Sequence, residues 1–144
     1  MRMESGFLHW GHDISPEENQ YEAGLIFAIS YKKNIDFVGK QALLKIKEKK
    51  QTKKFVMLTL KNSKPGEPLI LHDEPIYLDG KIIGRTTSGN YSFNFNKNLA
   101  FGYIKIDGDI NSIKNKLIEI EIEKNKYKAE ILTKPLNKKD YKNC

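Results

Sequence analysis

The sequence predicts an α+β chain that is mainly β: a short α/β segment leading into a small antiparallel β-barrel or closed sandwich. Three observations carry that prediction. A single helix-period signal lies before residue 50, several short strand signals follow residue 55, and two tight-turn signals join neighbouring strands. No repeat of fixed period points to a solenoid.

Taken in order, residues 1–8 place good helix formers before Gly6, which reads as the last turn of a helix. Gly11, Asp13, Ser15 and Pro16 are turn and cap residues, and Glu17 and Glu18 after Pro16 suit a short helical first turn. The compact apolar run at 25–29, LIFAI, has the length of a buried strand. Residues 37–50 predict a helix with Asp36 as N-cap and with Ala42, Leu43 and Ile46 at helical spacing. Its Lys-rich end suits the negative pole of the helix dipole. Residues 49–54 read as a hydrophilic linker.

From residue 55 the period changes to two. Residues 55–60 form one predicted strand, followed by a turn-rich stretch at 62–68. Residues 76–78 and 81–83 flank Asp79-Gly80, a strong hairpin signal. GRTTSGNY, residues 84–91, reads as a polar, glycine-rich turn leading to a strand at 99–106. LIEIEI at 117–122 alternates strictly, and 127–132 returns after a turn at Lys124-Asn125-Lys126.

A chain of 144 residues is one domain, or one domain with a short appended segment. The net charge of +7 comes almost wholly from lysine, since Arg2 and Arg85 are the only arginines. Nucleic-acid binders gather basic residues among aromatics on one face. Here the lysines are spread apart from a run at 45–54, which a solvated helix end or loop explains, so no nucleic-acid partner is expected. Cys144 is the only cysteine and the last residue; it allows no intrachain disulfide and suits a reducing compartment. No apolar run approaches the ~20 residues of a membrane helix. The N-terminus, with Glu4, His9 and His12, is unlike a signal peptide, so a cytoplasmic location and no membrane are expected.

Function is sought first in residues 1–30, which hold the only tryptophan, Trp10, and two of the three histidines among glycines and acids. His9 and His12 invite a metal, but Gly11 between them argues against a helix and His72 lies in a different element. The ligand count falls short, and no metal is expected. Ser88 lacks the G-x-S-x-G elbow and Cys144 is terminal, so neither reads as a nucleophile and no catalytic residue is assigned. The loop GRTTSG could hold an anion on its backbone N–H groups, although a tight turn is the commoner use of such residues. Glu4 and Glu22 sit among glycine and aromatic residues. A carboxylate so placed can accept two parallel N–H bonds from an amidine-like edge such as a pterin's N3–H and 2-amino group. An exposed helix-end glutamate remains the commoner explanation.

Six segments together resemble one family. Arg2-Met3-Glu4-Ser5-Gly6 with Trp10-Gly11-His12-Asp13-Ile14 resembles the R-x-E-x-G…[YW]-G-x-[DE]-[IL] segment of glycine cleavage T-proteins, the aminomethyltransferases. Glu22-Ala23-Gly24-Leu25 and Phe37-Val38-Gly39-Lys40-Gln41-Ala42-Leu43 are similar to E-A-G-L and F-[IV]-G-[RK]-x-A-L. Gly84-Arg85-Thr86-Thr87-Ser88-Gly89 and Ala100-Phe101-Gly102-Tyr103-Ile104 are similar to G-x-[VTI]-T-S-G and A-[LMF]-[GA]-Y-[IV]. Each is weak alone; their order and intervals make them specific. The wording at 9–14 looks most like the folate-binding tails of dimethylglycine and sarcosine dehydrogenases.

The resemblance implies that residues 1–50 are the C-terminal end of a folate-binding domain and residues 51–144 the C-terminal β-barrel. It implies tetrahydrofolate as cofactor, with Glu4 on the pterin's N3 and 2-amino edge and Trp10 at the family's aromatic position. Lys32 and Lys33 would meet the folate glutamate tail, and Arg85 would lie in the family's glycine-rich turn. Three departures stand out. The upstream half with the acid placed near folate N5 and N10 is absent, as is the dehydrogenases' flavin region. Gln20 replaces the proline of T-P-x-E, and the closing P-x-[YF]-D-P element has become Lys134-Pro135-Leu136-Asn137. The expectation is a tetrahydrofolate-binding part of a one-carbon transfer protein that does not turn over alone. The alternative is a non-catalytic interaction subunit, docking on a partner with the missing half, or self-associating, through apolar surface around Phe7, Leu25 and Phe27.

Overall fold

A computed structural model describes residues 1–33 and 35–136. Its strands are β1 (Lys53–Leu60), β2 (Pro75–Leu78), β3 (Lys81–Ser92), β4 (Lys97–Lys105), β5 (Ile118–Ile122) and β6 (Asn125–Leu132). They close into an antiparallel barrel in the order β1-β4-β3-β2-β5-β6. Alternation decides which face of each strand is inside. Val56, Leu58 and Leu60 of β1, Ala100 and Ile104 of β4, and Ile118, Ile120 and Ile122 of β5 share one buried core with Ala129 and Ile131 of β6. On the opposite face, Met57, Leu99 and Phe101 form a second cluster with Met3, so the N-terminal segment covers the outside of β1 and β4. This is the predicted fold class: mostly β, one helix, and a closed barrel. Among the described residues no helix is long and apolar enough to cross a membrane.

Both predicted hairpins form. Asp79 and Gly80 have φ of 49° and 82°, the positive pair that a two-residue turn between twisted strands needs. The second turn falls at Glu123-Lys124, φ 50° and 64°, one residue before the predicted position, because Asn125 already pairs with Ile122. The first residues make the expected single helical turn, with Ser5 N–H on Met1 O and Phe7 N–H on Arg2 O, both 3.2 Å.

Three local predictions are corrected. LIFAI is no strand: Ile26–Ala28 is a 3-10 turn with no buried residue, and Phe27 is 85% exposed. A barrel closed by six other strands offers this run no free edge to pair with. The helix α1 spans Lys40–Glu48, starting later than predicted. Its N-cap position is Gly39 at φ 88°, while Asp36 Oδ1 accepts from the N–H of Phe37, at 3.1 Å, and lies 4.0 Å from Lys40 Nζ. Residues 84–91 are not a turn but the interior of β3, and their glycines serve close approach of neighbouring backbone. The expected linker also yields Lys53 and Lys54 to β1. Cys144 and Asn137 lie outside the described residues.

Candidate functional site

The segment 1–24 is strapped onto the barrel by polar contacts centred on Asp13. Its carboxylate is fully buried and takes four donors: Arg2 Nη1 at 2.5 Å, Thr87 Oγ1 at 2.6 Å, Ser88 Oγ at 2.7 Å and the His9 N–H at 2.9 Å. Its carbonyl accepts from the Tyr103 hydroxyl at 2.9 Å. Burial alone pushes the Asp13 carboxyl up, but the bonds from Thr87, Ser88, His9 and Arg2 outweigh it and hold it below the ordinary range. Burial, aided by the charges of Glu18 and Asp13, pushes the Tyr103 hydroxyl up, keeping it a donor. Arg2 also donates to Phe7 O at 2.8 Å and Ser88 Oγ at 3.0 Å and lies over the Phe101 ring. The strap is closed further along by Lys53 Nζ on Glu18 Oε1, 2.7 Å.

Glu4 sits at the second anchor. Its buried carboxylate accepts from Ser92 Oγ at 2.5 Å and Asn94 Nδ2 at 2.9 Å, with the amino terminus 3.5 Å away. Burial raises this carboxyl, and the two hydrogen bonds with the terminal charge outweigh it, so Glu4 is held below the usual carboxylate range and is ionised at neutrality. A carboxylate has about four lone-pair sites. The Ser92 hydroxyl, the Asn94 side chain and the Asn94 backbone N–H all bond to that of Glu4, and the amino terminus pairs with Oε2.

Glu4 lines a cavity of ≈ 340 Å³ floored by residues 87–92 of β3 and walled by Arg2, His9, His12 and His72. That volume lies at the lower end of the ~300–1,000 Å³ of small-molecule sites. The other predicted site residues are not brought to it. Trp10 is 67% exposed on the 9–14 loop and is not among the residues that line the cavity. Lys32 is exposed on the loop after Ser30. Arg85 is exposed on β3 and donates to Asp73 Oδ1 at 2.8 Å, one residue from His72. Glu22 has a local role: its carboxylate accepts the Asn19 N–H at 3.1 Å while Asn19 Oδ1 accepts the Glu22 N–H, a reciprocal cap.

Sequence reasoning missed Asp13 and Arg2 as site residues and kept His72 apart from His9 and His12. Arg2 carried one signal, being one of two arginines among 25 basic residues. Asp13, read locally as a turn residue near Gly11, carried one signal too: it fills the acidic position of the Trp10–Ile14 segment. Among the described residues no group of three or more His, Cys, Asp or Glu side chains is arranged to hold a metal ion.

A closed antiparallel barrel, strapped by a segment that carries two buried carboxylates onto its outer wall, defines the class: a barrel domain presenting a polar cavity beside the strap. Residues 53–138 match the model of the glycine cleavage T-protein C-terminal barrel domain, and the chain belongs to that family. It is 37% identical over 136 residues to rat mitochondrial dimethylglycine dehydrogenase, covering 94% of this chain and 15% of that protein. To the aminomethyltransferase of Alkaliphilus metalliredigens it is 35% identical over 142 residues, 99% of this chain and 37% of that protein. The fold is shared with the glycine cleavage system aminomethyltransferase T of Bartonella henselae, TM-score 0.77 at 23% identity, over 93% of this chain and 36% of that one. The chain therefore spans well under half the length of these relatives.

Proposed function

We propose that the chain supplies a pterin-gripping wall for a tetrahydrofolate-dependent one-carbon transfer protein and does not turn over alone. The observation that carries this reading is Glu4: ionised, held by Ser92 and Asn94, and lining a cavity of small-molecule size. An ionised carboxylate at a cavity wall suits the N3–H and 2-amino pair of a pterin. The chain's part is orientation, with proton transfer left to the portion of the relatives that it does not span. Trp10 and Arg85 are proposed to meet a ligand extending past the cavity mouth, and Lys32 the far end of its glutamate tail. Titrating 5-formyltetrahydrofolate by calorimetry into wild type and Glu4→Gln tests this. The variant is expected to bind about tenfold to a hundredfold more weakly, the range for losing charged hydrogen bonds. Equal affinities, or no heat with wild type, overturn the reading.

A second reading, an interaction subunit, is favoured by the exposed apolar face of residues 1–50. No residue of helix α1 is fully buried, and Leu43, Leu44 and Ile46 are only half-buried. Phe7, Leu25 and Phe27 line a groove of ≈ 590 Å³ with Phe55 and Leu132, and Ile35, Phe37 and Val38 line another of ≈ 530 Å³. We propose that the occupant is a polypeptide equivalent to the portion of the aminomethyltransferases that this chain does not span, since a helix without a core is half of a packed layer. In sedimentation, the corresponding portion of the Alkaliphilus metalliredigens protein is expected to form a one-to-one complex that Phe27→Asp abolishes. Self-association of the chain through the same residues, or no complex, would count against it.

A further inference from the structure

Strand register fixes which side chains pave the cavity floor. Ser88, Asn90 and Ser92 of β3 stand opposite Phe101, Leu99 and Lys97 of β4. Directly opposed residues of an antiparallel pair share a face. Phe101 and Leu99 pack with Met3 of the N-terminal segment, so Ser88 and Asn90 face that segment too, and Ser92 follows by alternation. The hydrogen bonds agree: Ser88 Oγ meets Asp13 and Ser92 Oγ meets Glu4. Asn90 stands between these two anchors, exposed and lining the cavity. One strand repeat puts it about 7 Å from Ser92. The two serines hold the strap; Asn90 does not. Its Oδ1 accepts the Tyr91 N–H at 2.8 Å. A backbone N–H can only donate, so the atom it meets is the amide oxygen and the orientation of the amide is fixed. Nδ2 has no partner among the described residues. The floor therefore carries a neutral donor next to the Glu4 acceptor.

We infer that Asn90 selects an oxo group at position 4 of the ligand ring, its Nδ2 donating to that oxygen while Glu4 takes the neighbouring N3–H and 2-amino group. The inference rests on the pterin reading of Glu4. That edge of a pterin runs amino, N–H, oxo: donor, donor, acceptor. An acceptor at Glu4 followed by a donor at Asn90 is its complement. A ring with an amino group at position 4 sets a donor against the Asn90 donor. Turning the amide over to accept it would place N–H2 against the Tyr91 N–H, which then loses its acceptor. Discrimination thus comes from a polar mismatch, which rejects a close analogue more strongly than a change of shape does.

The test compares 5-formyltetrahydrofolate with its 4-amino-4-deoxy analogue by calorimetry, in wild type, Asn90→Leu and Asn90→Asp. The analogue also lacks the N3 proton that Glu4 would take. The quantity read is therefore how each substitution changes the preference between the two ligands, not the preference of wild type alone. Asn90→Leu is expected to weaken the oxo ligand about three- to tenfold, the range for losing a neutral hydrogen bond, and to leave the analogue unmoved. Asn90→Asp, an acceptor of the same size, is expected to lower the preference further by weakening the oxo ligand and tightening the analogue. Asn90 is exposed, and a urea midpoint checks the fold of each variant. Should Asn90→Leu prove unstable, the isosteric Asn90→Asp decides alone. A preference left unaltered, whether both ligands weaken equally or neither moves, overturns the inference while the pterin reading stands on Glu4→Gln. If neither ligand binds wild type, the pterin reading fails and this inference with it.

Discussion

Replacing Asp13 with alanine is expected to lower the stability of the fold by about 3 kcal/mol. Removing one partner of a buried ion pair costs about 3–5 kcal/mol because the other charge is left unpaired. Arg2 retains Phe7 O and Ser88 Oγ as acceptors and its side chain is 36% exposed, which puts the loss at the lower end. Thr87, Ser88 and the His9 N–H lose their acceptor as well. A urea midpoint lower by about 1–2 M is the expected reading, with an unchanged slope. The double variant Arg2→Met, Asp13→Asn is expected to recover part of the loss, since it leaves no orphaned charge. The pH dependence has a definite sign. The folded-state carboxyl of Asp13 lies below its unfolded value of about 3.9, so its contribution is present above that pH and lost as pH falls through the folded value. Wild type and Asp13→Ala are expected to converge below about pH 4. A midpoint unmoved at neutral pH would show that the strap does not depend on this pair.

The same residue shows where the sequence was mute. Asp13 reaches Thr87 and Ser88 across more than seventy positions, and no local pattern encodes that closure. The two hairpins were legible because Asp79-Gly80 and the 123–126 turn act on their nearest neighbours only. LIFAI was misread because an apolar run of that length packs wherever a partner exists, and here the barrel left none. The cavity was half legible. Glu4 stood out through the glycine and aromatic residues near it, whereas His72 joins His9 and His12 only once β3 places the segments side by side. GRTTSGNY misled for a physical reason: glycine marks both a turn and a strand where two backbones come close.

That ambiguity matters most at Gly84, where a Cβ would have the shortest clearance of any glycine in the barrel. A Cβ at Gly84 would stand 1.9 Å from the carbonyl oxygen of Tyr103 and 2.9 Å from its carbonyl carbon and from the Ile104 Cα. All three atoms are backbone of β4, and no rotamer change can move them. Gly84 pairs with Ile104 on one side and Ile76 on the other, so β3 cannot retreat from β4 without driving into β2. Gly102 faces Thr86 in the same ladder and would place a Cβ 2.4 Å from Arg85 O, so the close approach is reciprocal. Gly84→Ala is therefore expected to cost more than about 4 kcal/mol, a large part of the ~5–15 kcal/mol that holds a domain together. The expected outcome is insoluble protein, or a chain without the cooperative urea transition of wild type. Gly24→Ala is the matched control. Its φ is 71° but nothing lies within 4 Å, so only backbone strain of roughly 1–2 kcal/mol is expected. Were Gly84→Ala to unfold no earlier in urea than Gly24→Ala, β3 would have room to shift, and the barrel would not depend on that approach.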